Sequence, residues 1–248
     1  RDKYAAFAEG YKVYFDPSTR FMRGLDSEGN WRTPFNPRAS NHRNDDYCEG
    51  TAWQWTWFVP HDVDGLVELM GGRDAFIGKL DSLFTADSKL EGESTSVDIS
   101  GLIGQYAHGN EPSHHIAHLY NYVGQPWRTQ EIVDEVLHTL YFNNPDGLSG
   151  NEDCGQMSAW YILNAMGFYQ VCPGKPVYSI GRPLFNEATV HLKDGKSFKV
   201  IAHNNSRDNK YVRSIVLNGN KLETPFFTHQ DIVDGGTLEL TMGSEPLK

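Results

Sequence analysis

"EPSHHIAHLYNYVGQPWRTQEIVDEVLHTLY", residues 111–141, holds two helical patterns back to back. The first has Pro112 in a first-turn position and stops at Gly124. The second takes Thr129 as its cap, has acids early, and carries an apolar stripe at helical spacing. Helix following helix with little strand signal between predicts stacked helical pairs. The pattern extends outward. "YAAFAEGYKVYF" predicts a helix ending at "DPSTR", and "FMRGLDSEGNW" a loop or hairpin. Asp62 caps "DVDGLVELM", "GRDAFIGKLDSLF" is helical, and "GQMSAWYILNAMGFY" is a largely buried helix. After "CPGKP" at 172–176 the pattern alternates, with hairpin turns at Asp194-Gly195 and Asn218-Gly219. The expected fold is mainly α with a β tail: a helical part at 1–172 and a small antiparallel sheet at 173–248.

The 248 residues suffice for one large domain or two ordinary ones. A net charge of -10 argues against a phosphate-binding surface, so nucleic acid is not an expected partner. No apolar run reaches the roughly 18 residues of a membrane helix. The chain opens on Arg1 without a signal peptide, as though mid-protein, and is expected to be part of a longer polypeptide. Three cysteines, Cys48, Cys154 and Cys172, are too few for a disulfide scaffold. Six tryptophans in an acidic chain suit a pocket that stacks on flat apolar surfaces such as sugar rings, although core packing uses them too.

Three polar clusters precede predicted helices: "DDYCEGTAWQWTWFVPHD" at 45–62, "GQYAHGNEPSHH" at 104–115 and "PDGLSGNEDCGQMSAW" at 145–160. Glu111 and Asp153 alone could simply cap helices. Capping, however, needs neither Trp53-Gln54-Trp55 nor Gln156 to Trp160. The histidines beside Glu111 admit three readings: a zinc site, a polar seam inside a helical core, or the floor of a sugar cleft. His114 and His118 are four apart and would share a helix face, one ingredient of a zinc hydrolase, but Glu111 lies outside the pair. Glu111, Asn110, Gln105 and Gln54 are oxygen donors of the kind calcium takes. No nucleophile elbow, phosphate loop or dinucleotide fingerprint occurs.

The blocks "YCEGTAWQWTWFVPHD", "HGNEPSHHIAHLYNYVGQPWRTQ" and "GLSGNEDCGQMSAWYILNAMGFYQVCPG" resemble the signature blocks of glycoside hydrolase family 92, the calcium-dependent exo-α-mannosidases. The resemblance implies part of an (α/α)6 toroid flanked by β-structure, lacking the family's N-terminal β-domain and first helices. It implies hydrolysis of non-reducing α-mannosidic linkages, α-1,2 by expectation, with inversion and with calcium. Mannoside oligosaccharides or N-glycans would be the partners, and a secreted or periplasmic location would follow.

Inversion needs two carboxyl groups roughly 6.5–9.5 Å apart, one to protonate the leaving oxygen and one to activate water. The resemblance assigns the acid to Glu49 and the base to Asp153. Burial by "AWQWTWF" and repulsion from Asp45 and Asp46 would favour a protonated Glu49. A Gly-rich turn before a helix would keep Asp153 ionised. Asn151 stands where many members have a second acid; it can orient water but cannot take its proton. Gln54, Asn110 and Glu111 are the expected calcium ligands, and Trp53, His114, His115, Asn151 and Gln156 the expected sugar contacts. The opening histidines then belong to a cleft floor. Two rivals stand beside this reading: a glycan-binding module or inactive fragment lacking its N-terminal partner, and a zinc-dependent hydrolase using His114, His118 and Glu111.

Overall fold

Glycines and buried polar side chains set the joints of the chain. The computed structural model describes residues 2–42 and 44–248. They form two compact units, Arg1–His114 with Ser149–Asn151, and His115–Leu148 with Glu152–Lys248.

In the first unit the expected opening helix is two, Asp2–Ala8 and Tyr11–Tyr14, parted at Gly10, and the chain turns extended at Phe15. Phe15–Asp16 pairs antiparallel with Phe21–Met22, so "DPSTR" is a hairpin tip. Asp16 ties that tip. Its carboxylate accepts hydrogen bonds from Ser18, Thr19 and the guanidinium of Arg23. Burial pushes this carboxyl up, but those bonds outweigh it and hold the group well below the usual range. Helices follow at Ala52–Trp55, Val63–Leu69 and Arg73–Thr85, and Asp62 caps the second through the Gly65 amide at 3.0 Å. Trp57, Leu66, Phe76, Leu80, Leu83 and Tyr106 bury completely to form the core.

The helix expected from Pro112 to Gly124 is instead three short pieces: Glu111–Ser113, Ile116–His118 and Leu119–Tyr122, the first two of them 3-10 turns. The bonds His114 N to Glu111 O and His118 N to His115 O are three-residue closures. Buried imidazoles with fixed partners of their own override helical periodicity here. In the second unit the next helix is Pro126–Thr139, capped at Gln125 rather than Thr129; Thr129 lies inside it, buried. Pro126 takes the first helical position, where no amide is needed. The Gln156–Met166 helix sits between Gly155 and Gly167, both at positive φ. It buries one face, Met157, Trp160 and Asn164, and leaves Ile162 exposed, so it is half-buried rather than largely buried.

The β region is two sheets, not one antiparallel sheet. Phe168–Tyr169, Val177–Ile180 and Phe226–Thr228 form a three-stranded antiparallel sheet. The change from helix to strand thus begins before 173 and falls inside the second unit. The five-stranded sheet runs Asn220–Lys221, Tyr211–Leu217, Gly236–Gly243, Ser197–His203, Glu187–His191 in space. Its two hairpin turns are as expected, with Asp194, Gly195, Asn218 and Gly219 all at positive φ. The surprise is Gly236–Gly243, which inserts parallel to Ser197–His203. A parallel pair needs a long crossover, and residues 204–235 supply it. Leu238, Leu240 and Met242 on that strand bury against Phe198, Val200 and Phe227.

A closed polar chain crosses the second unit's interior. Asn121 Nδ2 donates to Ser179 Oγ at 2.6 Å, Ser179 Oγ meets His118 Nδ1 at 3.1 Å, and His118 Nε2 meets Asn164 Oδ1 at 2.9 Å. An amide oxygen only accepts, so Nε2 carries the proton, Nδ1 accepts, and the ring is neutral. Burial pushes His118 down to about 4, against a smaller upward effect of Asn164. Below pH 6.5 the unfolded chain takes up a proton that folded His118 refuses until about pH 4, so stability is complete above that window and lost as pH falls through it. His118 should therefore cost about 2 kcal/mol between pH 6.5 and 5. Denaturant midpoints at pH 7 and 5 check this: the wild type should drop at pH 5, and His118→Gln should drop measurably less.

Candidate active site

Glu49 stands in a run where each residue is tied down. The Tyr47 hydroxyl donates to the Met22 carbonyl at 2.6 Å. Burial, then Asp46 and Asp45, push its phenol up, so it remains a donor. Trp55 Nε1 donates to the Cys48 carbonyl at 2.8 Å, and Asn110 Nδ2 to the Glu49 carbonyl at 2.8 Å. Gly50 lies under the indole: a Cβ there would come within 2.7 Å of Trp55 Nε1. Thr51 and Gln54 form a capping box that opens the next helix. Glu49 itself has φ 51°, a left-handed conformation that costs a non-glycine residue of order 1 kcal/mol. Its side chain is exposed, so "AWQWTWF" does not bury it in this chain. It lines an open hollow of about 540 Å³ with His42, Asp45 and Asp46. Asp45 bends the loop by accepting from the Asn41 and Asp46 amides, and Asp46 pairs with Arg32. The expected acidic repulsion around Glu49 is thus partly neutralised.

Asp153 lies in a second left-handed turn. Asp153, Cys154 and Gly155 have φ 53°, 56° and 99° in succession. It is Glu152, not Asp153, that caps the following helix, its carboxylate accepting from the Gly155 and Ser158 amides. Hydrogen bonds from Ser158 hold Glu152 below the usual carboxylate range. Asp153 is exposed, and among the described residues its carboxylate makes no hydrogen bond or ion pair. Asn151 is exposed too, with Nδ2 3.4 Å from Asp98 Oδ1.

The other expected contacts fare differently. Trp53 is packed rather than presented: Phe21 meets it edge-on at 4.9 Å and Lys79 Nζ lies 4.5 Å from its ring centroid. Burial lowers Lys79 to about 7. Gln156 Nε2 donates to the Tyr169 hydroxyl at 3.2 Å. His108, His114, His115 and His118 are all buried, so the polar-seam reading of these histidines replaces the cleft floor. His114 Nε2 donates to the His108 carbonyl at 2.9 Å. Zinc is not supported, because no continuous helix sets His114 and His118 four apart and both rings are bonded elsewhere. Among the described residues no group of three or more His, Cys, Asp or Glu is arranged for a metal.

For calcium the three named residues are unequal. Gln54 Oε1 already accepts from the Thr51 amide and hydroxyl, which fills both its lone pairs. Asn110 Oδ1 accepts one bond, from the Glu111 amide, and has one lone pair left. Glu111 is partly exposed. Calcium takes six or more oxygens, so these three side chains alone would not complete a site.

Sequence reasoning missed Tyr47, Trp55 and Glu152. Thr51-x-x-Gln54 is a capping-box pattern that could have marked the helix start but went unread. Nothing local marks the Trp55 and Tyr47 bonds.

The glycosyl hydrolase family 92 catalytic domain matches residues 1–244. A family GH92 α-mannosidase from Bacteroides thetaiotaomicron, solved in complex with mannoimidazole, is similar at 43% identity and TM-score 0.91 over 99% of this chain and 33% of that one. A family GH92 inverting mannosidase from Bacteroides thetaiotaomicron VPI-5482 is similar at 42% identity and TM-score 0.85, over 99% and 34%. An uncharacterized secreted glycosidase of Arthroderma benhamiae is 32% identical over 200 residues, 79% of this chain and 24% of that protein. The chain thus spans about a third of the solved relatives and a quarter of the curated one. It belongs to glycosyl hydrolase family 92.

Proposed function

We propose that the protein containing this chain hydrolyses non-reducing terminal α-mannosidic linkages with inversion, α-1,2 linkages of mannoside oligosaccharides or N-glycans among them. One observation carries the reading. In a chain similar to solved α-mannosidases, both candidate carboxylates are exposed on left-handed backbone. Backbone strain of this kind gathers at functional sites.

Glu49 is the general acid and protonates the leaving glycosidic oxygen. Asp153 is the base: among the described residues its carboxylate takes no bond, so its lone pairs are available to a water proton. Asn151 orients that water. The helices are elements of an (α/α)6 toroid, and further parts of the longer polypeptide, an N-terminal β-domain among them, complete the sugar pocket. Secretion, into the periplasm in a Gram-negative cell, is consistent with the secreted relative and with glycan substrates. Among the described residues no helix is long and apolar enough to cross a membrane.

Calcium assists. Glu111, with the remaining lone pair of Asn110, would hold it from this chain, and when bound it would polarise sugar hydroxyls. Gln54 is left out because its oxygen is already used.

Glu49→Gln and Asp153→Asn should each lower kcat on an α-1,2-mannobiose by about 10²–10⁴ in the full-length protein. Proton NMR of the wild-type reaction should show β-mannose as the first product. Full activity in either variant removes that residue from its role, and α-mannose appearing first excludes inversion. Chelation by EDTA should abolish turnover and added calcium restore it; Glu111→Gln should raise the calcium concentration needed for half-activity, whereas Gln54→Glu should not lower it.

A further inference from the structure

An acid that delivers a proton at one point in space must be held there, yet among the described residues the Glu49 carboxylate makes no hydrogen bond or ion pair. Its carboxylate is exposed, and its backbone is in a conformation that a free loop would leave. What fixes it reaches in from elsewhere. Asn110, sixty-one residues away in sequence, gives its Nδ2–H to the Glu49 carbonyl at 2.8 Å. The same amide turns its oxygen to the Glu111 N–H, which prevents a flip. Trp55 gives its indole N–H to the preceding carbonyl, of Cys48, while its ring closes on Gly50. The peptides on both sides of the Glu49 Cα are therefore each gripped by one side-chain donor. Asn110 is largely buried, and one of its two amide N–H donors goes to this bond.

We infer that Asn110 and Trp55 are positioning residues that lock the left-handed backbone of Glu49 and so aim its carboxyl at the leaving oxygen. This rests on Glu49 being the acid. Asn110 acts on the reaction through Glu49 and needs to touch neither sugar nor cation to do so. A displacement of about 1 Å can cost about 10²-fold in rate.

Leaving-group dependence tests this. A 2,4-dinitrophenolate departs without protonation, whereas a sugar alkoxide does not. In the full-length protein, Asn110→Ala and Trp55→Phe should lower kcat on α-mannobiose about 10- to 100-fold with little change in KM. On 2,4-dinitrophenyl α-mannoside they should lose no more than about threefold, since the acid contributes little there. Trp55→Phe keeps an aromatic ring over Gly50 and removes only the donor, and Asn110→Asp keeps the shape while replacing the donor with an acceptor; both should show the same split. With calcium saturating, so that the Asn110 oxygen's part in holding the cation does not enter, equal losses on the two substrates would make Asn110 a scaffold residue and overturn the inference. Glu49→Gln serves as the reference. If it shows the split and the Asn110 and Trp55 variants do not, the positioning claim fails alone. If Glu49→Gln shows no split, the assignment of the acid fails and the positioning claim falls with it.

Discussion

The left-handed backbone at Glu49 is the constraint on which the candidate site turns. A non-glycine residue pays for that conformation, and only surrounding structure can keep it there. The neighbours of Glu49 do so through backbone carbonyls and leave its carboxylate untouched. Fixing the chain and freeing the functional group are thus one arrangement, to which Trp55, Asn110 and Gly50 all contribute. The same logic recurs at Asp153 with different means. There the capping is given to the neighbouring Glu152, and the catalytic candidate keeps its lone pairs.

Buried imidazoles organise the segment that follows the site. His118 is enclosed in a chain of amide, hydroxyl and ring that satisfies both nitrogens, and this is what makes a fully buried histidine tolerable. Burial selects the neutral ring, and the network accommodates it, Nε2–H donating to Asn164 and Nδ1 accepting from Ser179. His108 is held in the same neutral direction by burial, then by His114. Such groups specify one packing at the cost of acid sensitivity.

Legibility followed the range of the interactions. Asp62 capping its helix, the Arg73–Thr85 stripe, and the Asp194-Gly195 and Asn218-Gly219 turns are decided within a few residues, and all were readable. The three-piece break of 111–122 was not, because hydrogen bonds to Ser179 and Asn164, far along the chain, override a helical pattern. The parallel insertion of Gly236–Gly243 was equally hidden: alternation marks a strand but not its neighbour. The resemblance names Glu49 and Asp153 as candidates, while the bonds that hold their loops were not legible in the sequence. Trp53 was the expected sugar contact, yet its neighbour at i+2, Trp55, is the one bonded to the Glu49 loop. Only coordinates separate two tryptophans two residues apart on a four-residue helix.

The two carboxylates also differ in how far their support extends. Asp153 is set by its own turn: Glu152, Gly155 and Ser158 are local, so any fold that makes the Gln156–Met166 helix makes the turn. Glu49 depends on a bond spanning sixty-one residues and another on a tyrosine reaching back twenty-five, to Met22. Loop-closure entropy sets against such contacts until the whole first unit has folded. The Asp153 turn should therefore survive local loosening, whereas the Glu49 loop is the part that registers it. Substitutions remote in sequence, along 105–111 or 21–23, should disturb the Glu49 loop before they disturb the Asp153 turn. On the proposed roles, proton donation would then depend on the integrity of an entire unit while the base stays self-contained.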